Sequence, residues 1–191
     1  DAVILPGVGA FGDAMATLGK LDLAQVLRDI AESGKFLIGI CLGMQLLMTE
    51  SYEFGAHKGL GIIDGVVIPF EDPVHAVSFD DSLRKLKVPQ VGWNKIWQPS
   101  PSNPQVPHLW QSEFLDDVPN GEYMYFVHSL YVKPADENVI VSLSNYGQIE
   151  FCSSLQYNNV FACQFHPERS ATQGLNIYEK IASMVKRSGD K

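Results

Sequence analysis

Between Phe36 and Met48 a short apolar run passes straight into a helix-forming one. The junction carries a cysteine with glycines two residues to either side, Gly39-Ile40-Cys41-Leu42-Gly43. Phe36 to Ile40 has the length and apolarity of a buried strand, and the composition of Leu42 to Met48 favours helix. With no linker between them the turn must be sharp. Glycine admits the resulting close approach of backbones because it lacks a Cβ. The preceding stretch has the same plan. Ala2 to Leu5 is a strand-like run ending at Pro6-Gly7-Val8-Gly9. Asp13 or Asp22 can then open helical stretches bearing Leu18, Leu23, Val26, Leu27 and Ile30, and Gly34 stops them. Strand, helix, strand, helix predicts an α/β fold whose parallel sheet is covered on both faces.

The second half is strand-rich: Ile62 to Phe70, Gln90 to Trp97, Tyr123 to Val132, Val139 to Leu143, and a hairpin-like pair around Tyr157-Asn158-Asn159. Mixed or antiparallel additions to the sheet are expected there. The proline-rich run from Pro99 to Pro107 sustains neither ladder nor helix, so it reads as a surface loop, with a partner-docking polyproline segment as the alternative. From Gly174 to Val185, Leu175, Tyr178, Ile181 and Val185 fall at helical spacing and predict a terminal helix packed on the sheet. A chain of 191 residues, 46% hydrophobic, supports one core and fits a single domain over 1–191. Asp1 leads directly into a buried-strand pattern, from which we expect that a first βα unit of the sheet precedes it.

Charge narrows the function. A formal net charge of −8, with no local basic patch, argues against an electrostatic grip on nucleic acid or an anionic membrane. No apolar run approaches the roughly 20 residues that span a bilayer, and no signal-peptide pattern opens the chain, so a cytoplasmic protein is expected. The three cysteines, Cys41, Cys152 and Cys163, are too few for a disulfide scaffold and lack C-x-x-C spacing. Cys152 and Cys163 are expected as packed thiols, and His57, His75 and His108, which lack metal-ligand spacing, as surface or loop residues.

Cys41 is placed to react. A nucleophile on a strand-to-helix turn is held in strained backbone, and the start of a helix favours thiolate over thiol. The plain alternative is a small buried residue at the end of a strand. Near the other end, the apolar run from Val160 to Phe165 leads into His166-Pro167-Glu168. Residues two apart in extended chain share a face, so a carboxylate can orient an imidazole that shuttles protons. An isolated His-Pro-Glu is commonly an ordinary turn; together with the cysteine elbow it reads as the rest of a triad.

With Gly39-Ile40-Cys41-Leu42-Gly43-Met44-Gln45 and Gln164-Phe165-His166-Pro167-Glu168 in order, the sequence resembles the class I (triad) glutamine amidotransferases. Three further segments resemble one branch, the glutaminase subunits of imidazole glycerol phosphate synthases: Leu5-Pro6-Gly7-Val8-Gly9-Ala10-Phe11, Pro89-Gln90-Val91-Gly92-Trp93-Asn94 and Tyr125-Phe126-Val127-His128-Ser129. The likeness covers nearly the whole chain. It implies a three-layer, flavodoxin-like fold with a mixed, mostly parallel sheet and helices on both faces. It implies hydrolysis of glutamine to glutamate and ammonia through a thioester on Cys41, with His166 and Glu168 completing the triad. The oxyanion would be met by backbone N–H groups of Leu42 and of Val8 or Gly9. Gln45 and the backbone at Ser129 and Leu130 would hold the substrate's amino-acid end. Ammonia would pass to a cyclase (β/α)8-barrel, the heterodimer partner, in histidine biosynthesis. Gln90, Trp93 and Asn94 would face that barrel, and Arg169, where relatives often carry Lys, would pair with an acidic partner residue. No metal or organic cofactor is implied.

Plainer readings stand beside these: local hydrogen bonding for Gln45, a simple βα turn for Pro6 to Gly9, core packing for Trp93. A glutaminase serving anthranilate, guanine nucleotide or pyridoxal phosphate synthesis would keep the triad but usually has a Gly-Gly type oxyanion loop. A non-catalytic module of the same fold, or a cysteine peptidase or γ-glutamyl hydrolase, are the other classes.

Overall fold

The computed structural model describes residues 1–76, 83–99, 110 and 112–189. Its first half runs β1 (Ala2–Gly7), α1 (Phe11–Lys20), α2 (Leu23–Glu32), β2 (Phe36–Cys41) and α3 (Leu42–Leu46). β1 and β2 pair in parallel from Ala2↔Phe36 to Gly7↔Cys41, so the Val8–Gly9 loop and Cys41 leave the sheet at the same carboxyl edge. Helix α1 receives no cap from Ala10; its first N–H, at Phe11, donates instead to Glu53 Oε2 at 2.5 Å. Asp22 precedes α2, as expected, but sits in left-handed backbone and makes no side-chain cap. Gly34, at φ +79°, ends α2 as the sequence predicts.

The helix after Cys41 is shorter than its composition predicts. It stops at Leu46, and Met48–Ser51 forms β3. The carbonyls of Leu46, Leu47 and Met48 accept from the amides of Leu60, Ile63 and Gly61, so a distant segment takes the bonds that would have continued the helix.

The remaining strands are β4 (His57–Lys58), β5 (Ile63–Pro69), β6 (Val74–Ala76), β7 (Leu83–Lys85), β8 (Gln90–Lys95), β9 (Tyr123–His128), β10 (Leu130–Pro134), β11 (Ile140–Tyr146), β12 (Ile149–Tyr157) and β13 (Val160–Cys163), before the terminal helix α4 (Ala171–Gly189). The main sheet has the order β1-β2-β13-β12-β10-β5-β3-β4, with β11 also on β12. β1, β2 and β13 run parallel, as do β3 and β5, and the expected antiparallel additions join at β12, β10, β11 and β4. β6 with β7, and β8 with β9, form separate two-stranded ribbons. The run from Tyr123 to Val132 is therefore two strands in different sheets, divided at Ser129. The hairpin at Asn158-Asn159 forms as predicted. The expected loop from Pro99 to Pro107 lies, beyond Pro99, outside the described residues, as does His108. His57 and His75 lie on short strands rather than in loops.

Both faces of the central strands are covered. Ile38 and Ile40 of β2, with Phe161 and Cys163 of β13, pack toward Ile177 and Ile181 of α4. The alternate residues Leu37, Val160 and Ala162 pack with Phe11, Leu27, Leu42 and Met44 from the other helices. A two-residue alternation buried on both sides is the signature of a strand in the middle layer of three. All three cysteines are free and buried, with Cys152 and Cys163 in opposite layers, which agrees with packed thiols.

Candidate active site

The Gly-x-Cys-x-Gly elbow forms at the carboxyl edge of β2. Cys41 has φ 54° and ψ −110°, a backbone that non-glycine residues rarely adopt. The flanking glycines have the steric cause expected of them. A Cβ on Gly43 would stand 1.8 Å from the Leu5 carbonyl oxygen, and one on Gly39 would meet the Met44 nitrogen at 3.0 Å. The tight passage of α3 over β1 and β2 thus forces Cys41 up at the edge of the sheet.

The sulfur is only slightly accessible, at 6% for the residue. Burial pushes the thiol up to about 11, against the Leu42 N–H, which opposes the rise, and with Glu168 adding to it. The lowered thiol pKa expected from the helix start is therefore not found in the free chain. Helix α3 has five residues, too short for a strong dipole, and desolvation outweighs it. Sγ faces the Val127 carbonyl at 3.9 Å and accepts from Gln164 Nε2 at 3.6 Å.

His166 and Glu168 come together, though not as extended chain. The strand ends at Cys163, and Pro167–Arg169 forms a single 3-10 turn that brings the Glu168 carboxylate back, with His166 Nδ1 2.7 Å from Oε1. Proline's fixed φ suits the first position of such a turn. Glu168 also accepts from the Tyr178 hydroxyl at 3.4 Å; burial, with Glu168 close by, raises that phenol's pKa, so it remains a donor. The turn is pinned to β9: His166 N–H donates to Tyr125 O at 2.9 Å, and Ser170 Oγ accepts from Tyr125 N–H and donates to His166 O. His166 Nε2 is buried without a hydrogen-bond partner among the described residues. No hydrogen bond joins Cys41 to His166. Cys41 is thus a buried thiol bonded elsewhere, and His166 an imidazole oriented by Glu168, whose charge reaches the thiol.

The other expected residues fall around it. Gly7 packs against Leu42, a Cβ there meeting Leu42 Cβ at 3.1 Å. Val8 beyond it is 82% exposed, and Gly9 has φ +101°. Gln45 is buried, and its contacts are long-range rather than local: Nε2 donates to Leu130 O at 3.2 Å and to Gln164 Oε1 at 3.0 Å. Ser129 lies at the strand break, its carbonyl accepting from Phe70 N–H.

The segment expected to face a partner divides by strand alternation. Trp93 is 53% exposed and stands edge-on to Tyr125, 6.0 Å between ring centroids, so it is not a core residue. Arg169 lies 4.4 Å over the other member of that pair, the Tyr125 ring. Asn94 donates to Asn145 O. Gln90 corrects the expectation. Its side chain is buried at 4%, because it lies on the inner face of β8 opposite His128, while Val91 is the outward neighbour at 60%.

Four residues of the site carried no sequence-based role: Gln164, His128, Ser170 and Tyr178. Gln164 lies inside the motif that also contains His166, and Tyr178 shows only as a helical packing position. His128 is buried, with Nδ1 2.7 Å from Leu130 O, and burial, helped by nearby His166, depresses it to about 4 against the bond to Leu130. Among the described residues no group of three or more His, Cys, Asp or Glu is arranged to hold a metal ion, and no helix is long and apolar enough to cross a membrane.

A doubly covered sheet carrying a cysteine elbow opposite a histidine–carboxylate pair is the frame of a triad amidotransferase, and residues 1–182 match the family model for glutamine amidotransferase class-I, so the chain belongs to that family. Among curated proteins it is 42% identical to imidazole glycerol phosphate synthase subunit HisH of Aquifex aeolicus, over 100% of this chain and 79% of that protein. It is 41% identical to the subunit HisH of Bacillus subtilis, over 97% of this chain and 79% of that one. Within the family it belongs with these HisH subunits. A solved glutamine amidotransferase shares the fold at TM-score 0.61 and 16% identity, covering 95% of this chain and 79% of that one.

Proposed function

We propose that this chain is the glutaminase subunit of an imidazole glycerol phosphate synthase, acting in the cytoplasm and releasing ammonia from glutamine to a cyclase (β/α)8-barrel bound beside the site. The observation that carries the chemistry is Cys41 in strained backbone at a strand-to-helix turn, under the charge of Glu168, which fixes Nδ1 of the His166 imidazole. Cys41 Sγ gives its proton to His166 Nε2 and attacks the carboxamide carbon. The tetrahedral oxyanion is met by the Leu42 N–H and by that of Val8 or Gly9. His166 passes the proton to the departing nitrogen, which leaves as ammonia with the γ-glutamyl group bound to sulfur as a thioester. Water, losing a proton to His166, then cleaves the thioester and restores the thiol. Glu168 orients the ring and stabilises the imidazolium at each step. Gln45, with the backbone of Ser129 and Leu130, holds the amino-acid end of glutamine.

The partner assignment rests on the HisH relatives and on exposed Trp93 and Arg169 packed about half-buried Tyr125, a cluster that adjoins Glu168 in the chain. An exposed aromatic beside an arginine has the chemistry of an interface anchor. The test supplies glutamine labelled at the amide nitrogen, with and without the cyclase barrel. The label should enter the cyclase product, and glutamate release should rise when the barrel is present. Label found only as free ammonia, with no stimulation, would withdraw the partner assignment.

A further inference from the structure

We propose that Gln164 is a further catalytic residue: its side-chain amide, held in one orientation by Gln45, donates to the Cys41 sulfur and stabilises the thiolate that attacks. The proposal rests on Cys41 being the nucleophile. Gln164 is fully buried, at 0% exposure, and both ends of its amide are engaged. Oε1 accepts from Gln45 Nε2 at 3.0 Å, and Nε2 donates to Cys41 Sγ at 3.6 Å.

The sense of this chain of amides is set by the backbone. The Leu130 carbonyl can only accept, so the Gln45 group 3.2 Å from it must be the NH2. That NH2 spends its second N–H on Gln164, which must therefore present oxygen to Gln45 and nitrogen to the sulfur. A reversed Gln164 would set two NH2 groups against each other in a buried site, at the cost of an unsatisfied donor. His128 Nδ1, 2.7 Å from the same Leu130 carbonyl, helps hold the carbonyl in place.

The chemical consequence follows from which form of sulfur is the better acceptor. A thiol accepts weakly and a thiolate strongly, so an N–H aimed at Sγ favours the anion. It opposes the desolvation that keeps this thiol protonated, in the same direction as the Leu42 N–H. Gln45 would then serve twice, on the substrate and, through Gln164, on the nucleophile.

The test is the pH dependence of Cys41 alkylation by iodoacetamide in the whole chain, with the adduct assigned by peptide mass mapping; Cys152 and Cys163 are 3% and 0% exposed and so shielded. Gln164→Leu should move the profile upward by about one pH unit, which slows alkylation about tenfold at any pH below the midpoint. Gln45→Leu, which does not remove a group from the sulfur, should move it the same way by releasing the Gln164 amide. Profiles identical to the parent's in both variants would overturn the proposal. If either variant fails to fold by circular dichroism, the Gln164 side-chain amide resonance in the parent decides. It should shift as Cys41 titrates, and an invariant resonance would overturn the role. Because alkylation requires no glutamine turnover, it is separable from the nucleophile assignment, which fails instead if Cys41→Ala retains glutaminase activity.

Discussion

Cys41 combines two features that work against each other. Its strained backbone presents the sulfur at the sheet edge, while burial holds the thiol protonated at about 11 in the free chain. An acid whose pKa is raised reacts as the anion only to the extent that pH approaches that value, and each unit below it lowers the anion fraction tenfold. Alkylation of Cys41 in the isolated chain should therefore climb through the neutral and alkaline range toward about pH 11; a plateau already reached near neutrality would contradict the burial argument. His128 makes the opposite kind of prediction, about stability. Its folded pKa, about 4, lies below the ordinary histidine value of 6.5, so the unfolded chain takes up a proton first as pH falls. Stability is full above the unfolded value and is lost as pH drops from 6.5 to about 4, by roughly 3 kcal/mol. Urea midpoints across that range should fall in the parent and fall less in His128→Gln, which keeps a polar group near the Leu130 carbonyl.

At the scale of elements, the crossing of α3 over β1 is the tightest part of the frame. Gly43→Ala puts a methyl 1.8 Å from a backbone oxygen, which no side-chain rotation relieves. Thermal unfolding should show a loss of several kcal/mol, on the order of 3 or more. Gly19→Ala is the control: it lies within α1 with nothing near its Cβ, and should stabilise by about 0.5–1 kcal/mol. The contrast also marks what was legible in the chain. β1, α2, β2 and the glycine-flanked elbow follow local rules of periodicity and turn chemistry and form close to where those rules put them, although β1 continues through Pro6 and Gly7 and Asp22 makes no side-chain cap. The early end of α3 does not, because bonds from Leu60, Gly61 and Ile63 decide it, and no local propensity encodes a partner so far along the chain. The same holds for Tyr123 to Val132, one apolar run that tertiary pairing divides between two sheets. His166 and Glu168 were recognisable from spacing, although a 3-10 turn rather than extended backbone brings them together. Gln164 and His128 lay inside recognised motifs but their roles were not legible, since a buried polar residue shows its purpose only through partners on other strands. Gln90 shows the reverse, a motif residue whose strand parity turns it inward.

Across the whole molecule, the three layers leave one edge where β1, β2 and β13 all end, and the elbow, the Val8–Gly9 loop and the His166 turn converge there. From that edge β9 runs directly to the surface cluster of Trp93, Tyr125 and Arg169, with Tyr125 bonded through its backbone to both His166 and Ser170. Trp93→Ala should weaken binding of the cyclase barrel at least tenfold by titration calorimetry, in the range of an interface hot spot, while leaving the melting temperature of the free chain unchanged. A loss of fold instead would make Trp93 a structural residue. The central claim is that Cys41 is the nucleophile of a glutaminase. Its most direct test is glutamate release from glutamine by the parent and by Cys41→Ala, each with the cyclase barrel bound. The account predicts sustained release by the parent and none above background by the variant; equal release by the two would contradict it.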